Sequence, residues 1–387
     1  MFKILNVLLM LIGCFGWIAC NHAVSKSPGS EISSEVNTNL PSEAEKMEVV
    51  GENNFWKCSV KLTDPNNSFV KVQFLSNSEG IAISSNGFLF KTTDGGQKWQ
   101  SFKVGITKKG RISDIYFVSS QIGWITIAKE REDYLNELGD ESVVLKTEDG
   151  GKSWKNKFSI NSVVIEKVSF PGEKEGWVIG RKTLLKDTLI DQIFVNHTND
   201  GGETWSDITG DLPESLNDMA EDIIPTKLNE ALLLTNGIIY KILANEKKLI
   251  LLANLDERPQ TYFGSFGLLP NDNLWAAGGA DSKEGIWGIL KKKEGNIWKS
   301  YETNAYLRKL IFISENEIFA SGHFVSDVTS KTDIVRKPFL RFSNNGGKSW
   351  ENVCGDKSIA EISFFYFMNT NRLWAIGDNK IILLERL

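Results

Sequence analysis

The sequence predicts an all-β fold, a seven-bladed β-propeller whose ring is closed by an N-terminal strand. Three observations predict it. A short turn ending in Gly-Gly-x-x-Trp occurs four times in nearly the same form. Short apolar runs recur around residues 81, 124, 177, 232, 275, 319 and 374, in steps of 43 to 55 residues. The 387 residues include 12 Trp and 33 Gly, and nine of those Trp fall at two repeated positions. Apolar and β-branched runs at this spacing, separated by turns, are the pattern of four-stranded blades.

The N-terminal elements precede the repeats. Residues 1–20 read as an export signal: Lys3 gives a basic start and Ile4 to Ile12 an uncharged apolar stretch, too short for a stable membrane span. Trp17-Ile18-Ala19-Cys20 resembles a bacterial lipoprotein processing site, where Cys20 would be lipidated and become the new N-terminus. Cys14 also follows a suitable Leu11-Ile12-Gly13, but cleavage there would leave apolar residues 15–18 exposed, whereas polar sequence follows Cys20 directly. Ordinary secretion with cleavage nearby is the alternative. Residues 21–53 are Ser-, Glu- and Asn-rich, with Pro28 and Pro41, and bury too little surface to offset ordering, so they read as a flexible tether. The expected location is the bacterial cell envelope, with the domain held to a membrane by its N-terminal lipid.

The propeller takes residues 54–387. Blade 1 has the strand opening Gly80-Ile81 and the turn Thr92 to Trp99; blade 2 has Gly123-Trp124 and Thr147 to Trp154; blade 3 has Gly176-Trp177 and Thr198 to Trp205. Blade 4, around Ala231-Leu232 and Thr235 to Lys241, keeps its strands without the turn motif. Blade 5 has Leu274-Trp275 and a shorter turn, Glu294 to Trp298; blade 6 has Ile318-Phe319 and Ser343 to Trp350. Blade 7 has Leu373-Trp374 and runs out at Leu387 after three strands, and Phe55 to Leu62 is the expected fourth. Pairing the chain ends removes two open sheet edges.

The repeated turns have the chemistry of tight hairpins. Asp94, Asp149, Asp200 and Asn345 tolerate unusual backbone angles and accept bonds from the backbone ahead, the Gly pair supplies positive φ, and Trp99, Trp154, Trp205 and Trp350 fold back over the hairpin. The motif resembles the Asp-box, or BNR repeat, of certain propeller blades. Asn199 to Gly202 does not make a calcium loop, because alternating oxygen ligands and a closing Glu are missing. Cys58 and Cys354 fall on outer strands of adjacent blades, and in an exported protein a disulfide there would persist. Two separate thiols are an equally open reading.

Gly-Trp strand openings together with Thr-x-Asp-Gly-Gly-x-x-Trp boxes resemble the Ycf48/Hcf136-like family over roughly residues 54–387. The resemblance implies an exported or lumenal seven-bladed propeller and the general role of a protein-binding assembly factor, such as those for photosystem II. It carries over no individual functional residue. Sialidases, family 74 glycosidases and sortilin-type receptors also bear such boxes, so role has to be argued from the loops.

Composition narrows that role. A net charge of −5, from 44 Lys+Arg against 49 Asp+Glu, gives no dominant positive field and argues against nucleic acid as a partner. Three His and four Cys disfavour zinc chemistry, no cofactor motif is present, and no metal site is expected. His323 stands alone in an expected loop and reads as solvated. A sialidase needs an arginine cluster and an Arg-Ile-Pro segment, which is absent. A glycosidase needs only two carboxylates, which composition leaves open.

Boxes lie on one propeller face and the connections between second and third strands on the other. Three of the latter read as long loops: Lys129 to Ser142, Arg181 to Gln192 and His323 to Pro338, with a smaller one from Gly279 to Gly285. Long loops in a compact domain are often functional. The candidate binding residues there are Glu132, Asp133, Tyr134, Arg181, Lys182, His323 and Arg336. Trp287, outside both Trp series, is the candidate stacking platform. Mixed charge on this face suits a protein partner, here an unidentified envelope protein. The expected function is therefore non-enzymatic protein binding, with a glycoside hydrolase or a glycan-binding receptor as the alternatives.

Overall fold

Seven antiparallel sheets are arranged so that the inner strand of each touches the inner strands on either side, and the inner strand of blade 7 meets that of blade 1. The computed structural model describes residues 45–387 apart from 67, 106–109, 130–140, 186–188, 210–219, 256–260, 270, 283–284, 329–333, 356–360 and 378. The expected signal, with Cys14 and Cys20, lies outside the described residues. Blades 1 to 6 follow the chain in order, four strands each, from Phe69–Phe74 to Ser349–Asn352. Blade 7 combines Ile362–Asn369, Arg372–Gly377 and Lys380–Arg386 with Trp56–Thr63 as its outer strand. The fold is the all-β seven-bladed ring that the repeat predicts.

No single core exists. Seven apolar clusters each fill one seam between neighbouring blades, so every sheet is sealed on both faces by its neighbours. The tryptophans that open the second strands are the largest parts of this filling: Trp124, Trp177, Trp275 and Trp374 are all buried. Trp124 stacks on Phe170 of the next blade, ring centroids 3.6 Å apart. The box tryptophans are less deep than the sequence suggests. Only Trp350 is buried, while Trp99, Trp154, Trp205 and Trp298 are partly exposed.

The boxes also act between blades. In each, the first Gly N–H donates to the turn joining the inner two strands of its own blade, at Ser78, Gln121, Lys174 or Asn316. The second Gly lies against a side chain of the preceding blade: Trp374, Leu89, Trp124 or Leu290. At Gly96 a Cβ would stand 2.3 Å from Trp374, and φ is +83°, so space and backbone both demand glycine. Each box Trp closes the turn by donating its Nε1–H to that second Gly carbonyl, at 2.9 to 3.2 Å. Asp94, Asp149 and Asp200 accept the following backbone N–H groups, and Asn345 does the same without charge. Blade 4 has no box. There, against blade 3, the Glu175 carboxylate accepts from Asn229 N–H (2.7 Å) and faces His197, while the buried Trp177 Nε1 has no partner among the described residues.

Three segments depart from the sequence reading. The expected tether runs to residue 53, but Glu45–Lys46 and Glu48–Glu52 lie parallel to the outer strands of blades 5 and 6. Backbone pairing holds this strap, through Met47 N–H to Glu302 O and Asn53 N–H to Asn352 O, so the usual apolar alternation is not needed. The expected long loops at 181–192 and 323–338 are mostly extended hairpin arms, Gly176–Leu185 with Leu189–Thr198 and Ile318–Val328 with Ile334–Ser343. Their charged residues decorate strands that project beyond the ring, where polar faces carry no penalty.

Trp56 sits in the closing seam against Phe319 and Phe342. Just along that strand, Cys58 faces Cys354 with Cα atoms 5.4 Å apart, within disulfide reach. We expect intact mass under non-reducing conditions to be lower by the two thiol hydrogens, and a reduced sample to melt earlier, since closing so long a loop contributes about 2–5 kcal/mol. Trp124→Ala should cost about 3–5 kcal/mol in denaturant unfolding, because the seam around Phe170 and the Gly201 turn would be left with a cavity.

Candidate functional site

The inner strands carry their polar residues at matching positions. At one level the seven blades present Lys71, Asp114, Lys167, Asp222, Ser265, Lys309 and Phe364, each paired with the equivalent residue of its second strand. Six of the seven strands are irregular there, with a bulge just before this level. A bulge re-aims side chains, and here it leaves one residue of each of these inner strands without a partner on the second strand. From blade 1 to blade 4 the charges alternate. Lys71 pairs with Asp114 at 2.9 Å and Lys167 with Asp222 at 2.6 Å, both across blade seams. Lys309 donates to the Gly264 carbonyl of blade 5 at 2.5 Å.

Their titration follows from burial and from these partners. Burial disfavours the charged form of Lys309, with Lys167 adding repulsion, and its pKa falls to about 8. Burial equally opposes charge on Lys167 and Asp222, but their mutual attraction outweighs it, raising the lysine and lowering the aspartate. One step closer to the hairpin face, Glu221 is pushed up to about 7 by burial, although the Tyr262 hydroxyl donates to it. Burial also raises Glu166, which faces Arg181.

Above this wall, on the face opposite the boxes, a charged chain joins blades 5, 6 and 7. Arg336 grips Asp281 with two bonds of 2.6 and 3.0 Å. His323 stands between Asp281 (Nε2, 3.0 Å) and Glu361 (Nδ1, 3.3 Å), and Arg308 meets Glu361 at 3.2 Å. The Tyr306 ring stacks on the imidazole at 5.2 Å between centroids. A neutral imidazole has one N–H, so both carboxylates are satisfied only by the doubly protonated ring. Burial alone would lower the His323 pKa, but the bonds to Glu361 and Asp281 overcome it and the pKa is raised.

The sequence candidates fare unevenly. His323 and Arg336 come together in this chain. His323 is 9 % exposed, on a strand, which corrects its reading as a solvated loop residue. Arg181 lies on the blade 3 hairpin, 3.2 Å from Asp191, with Lys182 exposed beside it. Trp287 is on the third strand of blade 5, partly buried against the seam with blade 4, so it is no open platform. Glu132, Asp133 and Tyr134 lie outside the described residues. Asp281, Glu361, Arg308, Glu221, Tyr262 and the lysine–aspartate level were missed. For the lysine–aspartate level the signal was a charge at the same step of successive inner strands, visible only once the bulges are aligned. Among the described residues no group of three or more potential ligands is arranged to hold a metal.

Comparison with known proteins agrees with the resemblance read from the boxes. The family model described as photosynthesis system II assembly factor YCF48 matches residues 125–249. A curated relative, the photosystem II assembly lipoprotein Ycf48 of Synechococcus sp. (strain CC9902), is 23 % identical over 324 residues, covering 81 % of this chain and 83 % of the relative. A solved structure of YCF48 bound to D1 peptide superposes with a TM-score of 0.60 at 16 % identity, covering 88 % of this chain and 99 % of that one. An ancestral GH74 enzyme superposes with a TM-score of 0.57 at 14 % identity, covering 85 % of this chain and 46 % of the enzyme chain. At these identities the superpositions show the fold.

The raised pKa of His323 fixes the sign of a pH effect. Its stabilisation is fully present below the unfolded pKa of about 6.5 and is lost as pH rises through the folded value. We expect the difference in melting temperature between the native chain and His323→Gln to be largest below pH 6 and to shrink above it. A difference that does not change with pH would mean that folding leaves the His323 pKa unshifted.

Proposed function

We propose that this chain is a non-enzymatic, protein-binding assembly factor of the Ycf48 kind, and that it holds a partner segment over the hairpin face. The observation that carries this reading is the convergence of charged hairpin arms and inner-strand charges on one side of the ring. The named carboxylates of the wall are already engaged: Asp114 by Lys71, Asp222 by Lys167, Glu221 by Tyr262 and Glu166 by Arg181. Such groups build the ring rather than wait for a glycosidic bond, which favours binding over hydrolysis. The solved relative named as bound to D1 peptide supports a protein partner, and a D1-like segment is the first to test. The curated relative's description as a lipoprotein supports the signal at residues 1–20, lipidation at Cys20 and membrane attachment in a cell envelope.

Charge on this face changes near neutrality. As pH falls from 8 to 6, Glu221 loses its charge while Lys309 gains its own, so the face becomes more positive. Binding of an acidic segment should tighten over that range. With a D1 peptide as probe, we expect deletion of residues 131–141, or Lys182→Glu, to weaken binding in calorimetry while leaving the melting temperature unchanged. Full-strength binding by both variants would place the contact elsewhere, and loss of fold on deletion would undermine the assignment of that segment to a binding loop.

A further inference from the structure

The seven outer strands differ in how their free edges are guarded. An outer strand presents unpaired N–H and C=O groups that another chain can take up, and proteins blunt such edges with charge, short length or a cover. In blades 5 and 6 the strap Glu45–Lys46 and Glu48–Glu52 covers the edge. The outer strand of blade 3 is two residues long, Ser206–Asp207. Blades 1, 2 and 7 carry lysines on theirs: Lys103, then Lys155 and Lys157, then Lys57 and Lys61. Blade 4 is different. Its outer strand, Lys248–Asn254, has five uncharged apolar residues between its two ends. It is the last strand of its sheet, with none beside it among the described residues.

This edge is also open to solvent. Leu251 is 58 % and Leu252 38 % exposed. The register shifts at Leu252, which has no paired residue on the neighbouring strand, so two consecutive leucines stand outward. The rim next to it already accepts an added strand. On blade 6 the strap runs parallel to the outer strand, with Glu48 N–H donating to Lys348 O at 3.3 Å and Val49 opposite Trp350. An acidic residue thus enters beside the lysine that precedes the outer strand, and an aliphatic residue follows. Blade 4 offers the same order: Lys247 and Lys248, both exposed, and then the apolar run.

The geometry points to the outer edge of blade 4 as a docking site for an extended partner peptide, an acidic residue followed by aliphatic ones, added parallel to Lys248–Asn254 as the strap is added to blade 6. Main-chain bonds would supply the affinity, and the Lys247–Lys248 pair with the two leucines the selectivity. This surface lies on the rim and is independent of the hairpin face.

The test uses the full chain and a synthetic peptide with the strap's own sequence, Lys-Met-Glu-Val-Val-Gly-Glu-Asn, followed by amide hydrogen exchange. Saturable slowing at residues 249–253 is expected. Leu251→Lys should abolish it, and the double change Lys247→Glu with Lys248→Glu should weaken it, each with the melting temperature unchanged because these side chains are exposed. The proposal is overturned if exchange at 249–253 does not respond. It is equally overturned if slowing is confined to 349–352, or if Leu251→Lys leaves it intact.

Discussion

Everything in this fold depends on one requirement: each sheet has two apolar faces, and only its two neighbours can cover them. A single blade cannot bury itself, and a row of blades would leave an apolar face at either end. Closure into a ring removes both open faces, and the seven seam clusters are the outcome. The tryptophans, the box glycines and the polar links across seams all serve that contact. Lys71–Asp114 and Lys167–Asp222 are therefore parts of the sealing as much as parts of a site. Their charges remain affordable only because each is met by the next blade.

The same requirement explains which features the sequence reveals. Gly-Gly-x-x-Trp turns are legible because the backbone angle, the close approach to the preceding blade and the indole bond all constrain the same few positions. The ring-closing strand is legible because blade 7 ends one strand short and Phe55 to Leu62 has the missing pattern. Two kinds of element were not. The strap at residues 45–52 is held by main-chain bonds, so its acidic, valine-containing sequence carries no trace of the pairing and reads as tether. The hairpin arms of blades 3 and 6 project from the ring, and their polar residues mimic loops.

The candidate site was hidden for a further reason. His323 looks solitary in the sequence because its partners, Asp281 and Glu361, come from the blades on either side, about forty residues away in each direction. The inner-strand charges are masked likewise, since in each strand they are a polar residue or two within an apolar run. Only the alignment of seven strands, with their bulges, turns them into a ring. Function on a propeller is thus written across blades, whereas sequence motifs are written along them.

The shared seventh blade has a consequence for how the molecule comes into being. Its outer strand, Trp56–Thr63, is made long before its partner, Lys380–Arg386. Until Lys380–Arg386 is available, Trp56–Thr63 has no sheet to join, and two seams stay uncovered. Assembly of the ring is therefore governed by the most distant pairing in the chain, the kind of contact that slows folding most. A nascent or truncated chain that lacks this partner strand exposes apolar sheet faces on both sides of the gap, which makes Lys380–Arg386 the timing element for the ring.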